Sequence, residues 1–140
     1  MKVSVKWLDG AAMEGESGSG HRVMMDGPPE AGGHDLGARP MEMLLLGMGG
    51  CTQFDVLLIL RKARQEVTHC VVELSAERSE TDPKVFTKIH AHFIVTGRGL
   101  SERRVARAIE LSATKYCSAS IMLGATATVT HDYELREADG

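Results

Sequence analysis

"MEMLLLGMGGCTQFDVLLILRK", residues 41 to 62, is the stretch that decides the fold. Met43, Leu44, Leu45 and Leu46 leave no polar face, and Val56 to Leu60 is again apolar all round, with charge returning only at Arg61. A helix apolar on every side has to be covered on every side. Gly47, Gly49 and Gly50 lie between the two runs, and each glycine inside a helix costs about 1 kcal/mol relative to alanine. They predict a break, with a new helix starting at Thr52 and with Thr52 and Asp55 as a capping box in which Asp replaces the usual Glu. Glu42 suits the positive end of the first helix dipole. Cys51 then stands at or just before a helix start, where unpaired N–H groups and the dipole lower a thiol pKa. The glycines beside it leave room for a substrate. The competing reading is a buried cysteine acting as a small hydrophobe.

Outward from this stretch the pattern changes period. "KVSVKWL" (2 to 8) alternates, with Val3, Val5 and Trp7 on one face, and predicts a half-buried strand. Further strands are predicted over 11–16 and 20–26, and "DGPPEAGGHDLGARP" (26 to 40) reads as a loop. Residues 70–79 and 85–96 alternate as strands; in the second, Ile89, Ala91, Phe93 and Val95 face inward, and His90 and His92 face the other way. Residues 99–117 form an amphipathic helix capped by Ser101, with Val105, Ile109, Ser112, Ala113 and Tyr116 on one stripe. A fresh cap at Ser118 starts a short continuation. A last strand over 126–136 places Ala127, Val129, His131, Tyr133 and Leu135 on one face. This order predicts α+β with antiparallel sheets in a single domain, 1–140. One sheet of about six strands covers one side of the apolar helix, so a second copy of the chain is expected to cover the rest in an extensive homodimer.

The composition narrows the function. With 140 residues, 43% apolar, 25% charged and a net charge of −3, the chain reads as an ordinary globular domain. Aromatics at 4% are not interleaved with Lys and Arg, so no nucleic-acid partner is expected. Lys2, Lys6 and Asp9 interrupt any signal peptide, and Glu42, Gln53, Asp55 and the glycines argue against membrane insertion of the apolar stretch. Three cysteines without a secretory address fit a reduced, cytoplasmic setting. Cys117, at a helix end near Lys115, is a weaker second candidate for chemistry, and Cys70 reads as structural. No C-x-x-C is present, which counts against thioredoxin-like and zinc sites. His90 and His92 read as water-facing rather than metal-binding, and His131 as a satisfied core histidine.

"RPMEMLLLGMGGCTQFDVLLIL" followed by "ELSATKYCSASIML" resembles the OsmC/Ohr family of thiol peroxidases, in particular its YhfA-like branch. "VKWLDG" and "GESGSGHRVMMDG" are similar to that branch's opening strands, so the resemblance spans nearly the whole chain. It implies an intertwined homodimer in which sheets of both subunits wrap central helices, with sites at the interface. It also implies that Cys51 attacks the peroxide, that Cys117 resolves the sulfenic acid to a disulfide, and that a small dithiol restores the pair. No metal and no organic cofactor is implied. The family's activating arginine comes from the N-terminal strands, which makes Arg22 the first candidate and Arg39 the second. Glu42, one position later than the family's glutamate, is the candidate for holding it. The expected function is reduction of small organic hydroperoxides. The alternative is a non-catalytic binding protein of this fold, taking a lipid-like or small-thiol ligand in the interface pocket.

Overall fold

The computed structural model describes residues 1–139, and the chain falls into two compact units, 1–46 and from 47 onward. The first holds an antiparallel sheet of β1 (Val3–Asp9), β2 (Ala12–Ser17) and β3 (Arg22–Met25), in the order β1-β2-β3. Gly15 sits opposite Val5 in one ladder and Val23 in the other. The expected strands are all present, with shifted ends. The expected half-burial of β1 is not found, since every one of its residues is exposed. Between 26 and 40 the loop contains one short 3-10 turn, Pro29–Ala31. Buried Asp26 organises it by accepting N–H bonds from Gly27 (2.8 Å), His34 (3.0 Å) and Leu36 (3.1 Å). These bonds, that from His34 first, hold its carboxyl below the usual range.

The main correction concerns the apolar stretch. One continuous helix, α1 (Pro40–Lys62), runs straight through Gly47, Gly49 and Gly50. Proline at the first position and Glu42 at the third start it, the Glu42 Oε1 accepting the Arg39 N–H at 2.7 Å. Packing explains why one glycine is tolerated: a Cβ on Gly49 would come within 2.8 Å of Leu74 Cδ1. Thr52 is therefore no cap. It is 3% exposed in the middle of a helix.

The second unit has a sheet of β4 (Glu66–Arg78), β5 (Phe86–Arg98) and β6 (Thr128–Glu137), in that order. β4 and β5 pair antiparallel, but β5 and β6 pair parallel, from Lys88↔Thr128 to Gly97↔Glu137. The α+β class with more than one sheet is as expected, but one of the two three-stranded sheets is mixed and not antiparallel throughout. A parallel partner requires the chain to return the length of the strand, and a crossover does this. It consists of α2 (Glu102–Leu111), a π-turn (Ser112–Tyr116) and α3 (Ser118–Leu123).

Ser101 caps α2 as expected, its side chain accepting the Arg104 N–H. Val105, Ala108 and Ile109 of α2 pack with Ala91, Phe93 and Val95 of β5 and with Val56 and Leu60 of α1. The inward face read from β5 is therefore the core face. By length and composition α1 could cross a membrane, but Val56 and Leu60 are core residues of this packed unit. His131 is exposed, not a core histidine; it stands on β6, the edge strand of its sheet, where cover is incomplete.

Candidate active site

Cys51 is the central residue of α1, not the first residue of a new helix. The helix-start argument for stabilising its thiolate therefore does not hold. What the helix supplies is alignment: Cys51 and Asp55 are four residues apart and share a face. Both are half-buried, and facing them is Cys117, fully buried at the end of the crossover's π-turn. The two Sγ atoms and an Asp55 carboxylate oxygen all lie within 4.8 Å of one another. A pair separated by 66 positions in the sequence, Cys51 and Cys117, thus meets at one point.

The π-turn makes this meeting possible. Its closing bond runs from the Cys117 N–H to the Ser112 carbonyl at 2.8 Å, and such single-turn π segments recur at functional sites. The turn is keyed to α1 through the buried Ser112 hydroxyl, 2.7 Å from Thr52 Oγ1 and 3.3 Å from Asp55 Oδ2. Thr52 donating to Ser112, and Ser112 to Asp55, engages all three groups with the two hydroxyl protons.

Beyond the turn, Cys117 itself and not Ser118 is the N-cap of α3. Its Sγ accepts from the Ser120 N–H at 3.3 Å and the Ser120 hydroxyl at 3.0 Å. Burial pushes the Cys117 thiol up, the two Ser120 bonds oppose this, and the neighbouring Cys51 adds to it. Asp55, Ser112 and Ser120 are the site residues that the sequence reading missed. The Cys51-x-x-x-Asp55 spacing was the available signal.

The remaining candidates have partners of their own. Cys70, in β4, packs against the core and is also pushed up by burial; Gln53 of α1 donates to its carbonyl at 2.9 Å. Arg22 is exposed on β3 and pairs with Glu14 at 3.9 Å. Glu42 is engaged at the start of α1, and Arg39 pairs with Asp35 at 2.9 Å. His90 and His92 do not simply face water. They form a ladder with β6, His90 bonding Thr130 and Asp132, and His92 bonding Asp132 and Glu134.

A buried and a half-buried thiol held side by side beneath a helical crossover form a dithiol arrangement in an α+β frame, and comparison with known proteins assigns that frame to a family. The model of the OsmC-like protein family matches residues 32–132. The chain is 49% identical over 135 residues to Protein YhfA of Escherichia coli K12, covering 96% of this chain and 98% of that one. A solved structural-genomics structure, 48% identical, superposes with a TM-score of 0.90 over 99% of this chain and 100% of the other. The organic hydroperoxide resistance protein OhrB of Bacillus subtilis, 18% identical, shares the fold at a TM-score of 0.64, covering 95% and 96%. The chain belongs to the OsmC-like family.

Proposed function

We propose that the protein is a cysteine-based peroxidase that reduces organic hydroperoxides. The observation that carries this reading is the convergence of the Cys51 and Cys117 sulfurs; the hydroperoxide resistance named for the Bacillus subtilis relative of the same fold supports it. The Cys51 thiolate attacks the O–O bond. An S–O bond forms, the O–O bond breaks, and the alkoxide leaves as the alcohol after taking a proton. The Cys117 sulfur then displaces hydroxide from the Cys51 sulfenic acid, giving a disulfide and water. A small dithiol reductant restores both thiols.

Half-burial suits Cys51 to meeting a substrate, and full burial suits Cys117 to meeting only Cys51. The apolar run Met43 to Met48 favours a hydrocarbon tail, at roughly 0.8 kcal/mol per buried methylene. Arg22, which lines an apolar groove with Val3, Val5, Val23 and Met43, is the proposed activating cation. Glu42 is the proposed residue that positions this arginine. We further propose that the whole chain acts as one domain in a cytoplasmic homodimer with neither nucleic acid nor membrane as partner. Free thiols persist in that compartment, as the proposed cycle requires between turnovers.

The test is a free-thiol count with intact mass before and after one equivalent of cumene hydroperoxide, compared with hydrogen peroxide. The expected result is loss of two thiols and two hydrogens per chain, mapped to Cys51 and Cys117, faster with the organic peroxide. Full activity in Cys51→Ser overturns the mechanism. The upward push of burial on Cys117 favours a second reading, a binding protein for a lipid-like or small-thiol ligand. Three unreacted thiols decide for it.

A further inference from the structure

Two sulfurs and a carboxylate oxygen within 4.8 Å of one another form more than a redox pair. We propose that the reduced protein binds one thiophilic divalent cation, zinc in particular, through Cys51, Asp55 and Cys117. This goes beyond the proposed peroxidase reaction, which needs no metal, and shares its cysteines.

The donor set is right for such an ion. Thiolates with one carboxylate suit zinc, whose four-coordinate sites with three protein ligands leave the fourth position to water. The scaffold is right as well. Cys51 and Asp55 stand one turn apart on α1, so one rigid helix presents two ligands, and the crossover closes over them with the third. Each of the two partners facing Cys51 is also oriented by a neighbour. The Cys117 sulfur receives two hydrogen bonds from Ser120, which favour a thiolate, and Asp55 Oδ2 receives one from Ser112. Outer hydrogen bonds of this kind fix metal ligands in place and tune them. Cys51 and Asp55 are half-buried, which leaves a way in from solvent.

Binding a metal through thiolates releases thiol protons to solvent. It also occupies the sulfur that would attack a peroxide. When an organic hydroperoxide does oxidise the bound dithiolate, the two sulfurs lose two electrons and form the disulfide. The peroxide takes these electrons and two protons from solvent and becomes alcohol and water, and the ion departs because a disulfide offers no thiolate.

The experiment titrates Co²⁺, then Zn²⁺, into the full chain reduced with a non-thiol phosphine under argon. We expect one Co²⁺ per chain with a sulfur-to-metal charge-transfer band in the near ultraviolet, displaced by Zn²⁺. Cys70→Ser should leave the band unchanged, and Cys51→Ser and Asp55→Asn should each weaken binding more than tenfold while circular dichroism stays native. The disulfide form should bind none. Absence of the band, or equal uptake by a Cys51→Ser/Cys117→Ser protein, overturns the proposal. The readout is independent of peroxidase activity. A protein that loses two thiols to cumene hydroperoxide yet takes up no Co²⁺ refutes the metal site alone. One that binds Co²⁺ but leaves its thiols untouched by peroxide refutes the peroxidase reading alone.

Discussion

Ser112 shows how much a single hydroxyl can decide. It is completely buried, reaches Thr52 and Asp55 of α1, and accepts the Cys117 N–H on its carbonyl. Replacing it by alanine strands buried polar partners, which costs about 1–3 kcal/mol, and frees the turn that presents Cys117. We expect Ser112→Ala to lower the melting temperature by several degrees. It should also slow disulfide closure relative to the first oxidation of Cys51, which dimedone trapping of the sulfenic acid would register as accumulation. A variant as stable as the parent would mean that water fills the hydroxyl's place. Cys117→Ser carries the complementary expectation: Cys51 is still oxidised by one equivalent of peroxide, but no disulfide forms, and intact mass shows one added oxygen per chain. At this scale the sequence was only partly legible. The two cysteines stood out through their resemblance to a known pattern. Asp55 was masked because an aspartate three residues after a threonine also fits a helix cap, and nothing local distinguishes a cap from an (i, i+4) partner of Cys51.

Strands β5 and β6 carry a pH response that follows from their parallel register. His92 stands opposite Asp132, and its two ring nitrogens lie 2.6 Å from Asp132 and 3.3 Å from Glu134. Both can be satisfied only by an imidazolium, which donates from both nitrogens. These bonds, Asp132 first, raise the His92 pKa; Asp132 is lowered in return, and Glu134 is lowered by Arg136 first and His92 second. A folded-state pKa above the unfolded value near 6.5 means that the contribution is fully present below that pH and is lost as pH rises through the folded value. The carboxylates act with the opposite sign, losing their contribution as pH falls through their lowered values. We therefore expect wild type to lose more thermal stability between pH 6 and pH 8.5 than His92→Gln does, with the gap narrowing in high salt because the ladder is exposed. Equal pH profiles would remove the ladder from the account.

The same elements show what an unaligned sequence can and cannot state. The alternation of Ile89, Ala91, Phe93 and Val95 was readable because side chains on a strand alternate faces. The parallel pairing of β6 was not, since alternation is identical in either direction. The continuity of α1 was hidden because glycine's intrinsic cost is visible in the sequence, and the contact of Gly49 with Leu74 that makes its missing side chain useful is not.

For the molecule as a whole, the apolar surface that remains uncovered is the strongest constraint. In residues 1–46, Val3, Val5 and Trp7 of β1 are 70%, 56% and 69% exposed on one face of their strand. In the other unit, Phe54 is 69% exposed and Leu58 36%, and Gly47 and Gly50 look onto open space. Soluble monomers rarely leave apolar patches of more than a few hundred Å² in water, and a two-fold related copy presents the same surface in return. The proposed homodimer would cover these faces, and it predicts that oligomeric state and activity move together. Sedimentation equilibrium should give twice the 15.2 kDa chain mass at micromolar concentration. Trp7→Lys places a charge in the apolar face of β1, where burial without a partner is costly, and should shift the equilibrium toward monomer. Because Trp7 is exposed in the single chain, the substitution leaves the core of either unit intact, and circular dichroism should stay native. Its peroxide-driven thiol loss should then be slower and fall further on dilution. A chain that sediments at 15.2 kDa at every concentration, and loses its two thiols at an unchanged rate, would show that one copy forms the complete site and that the exposed apolar faces serve some other contact.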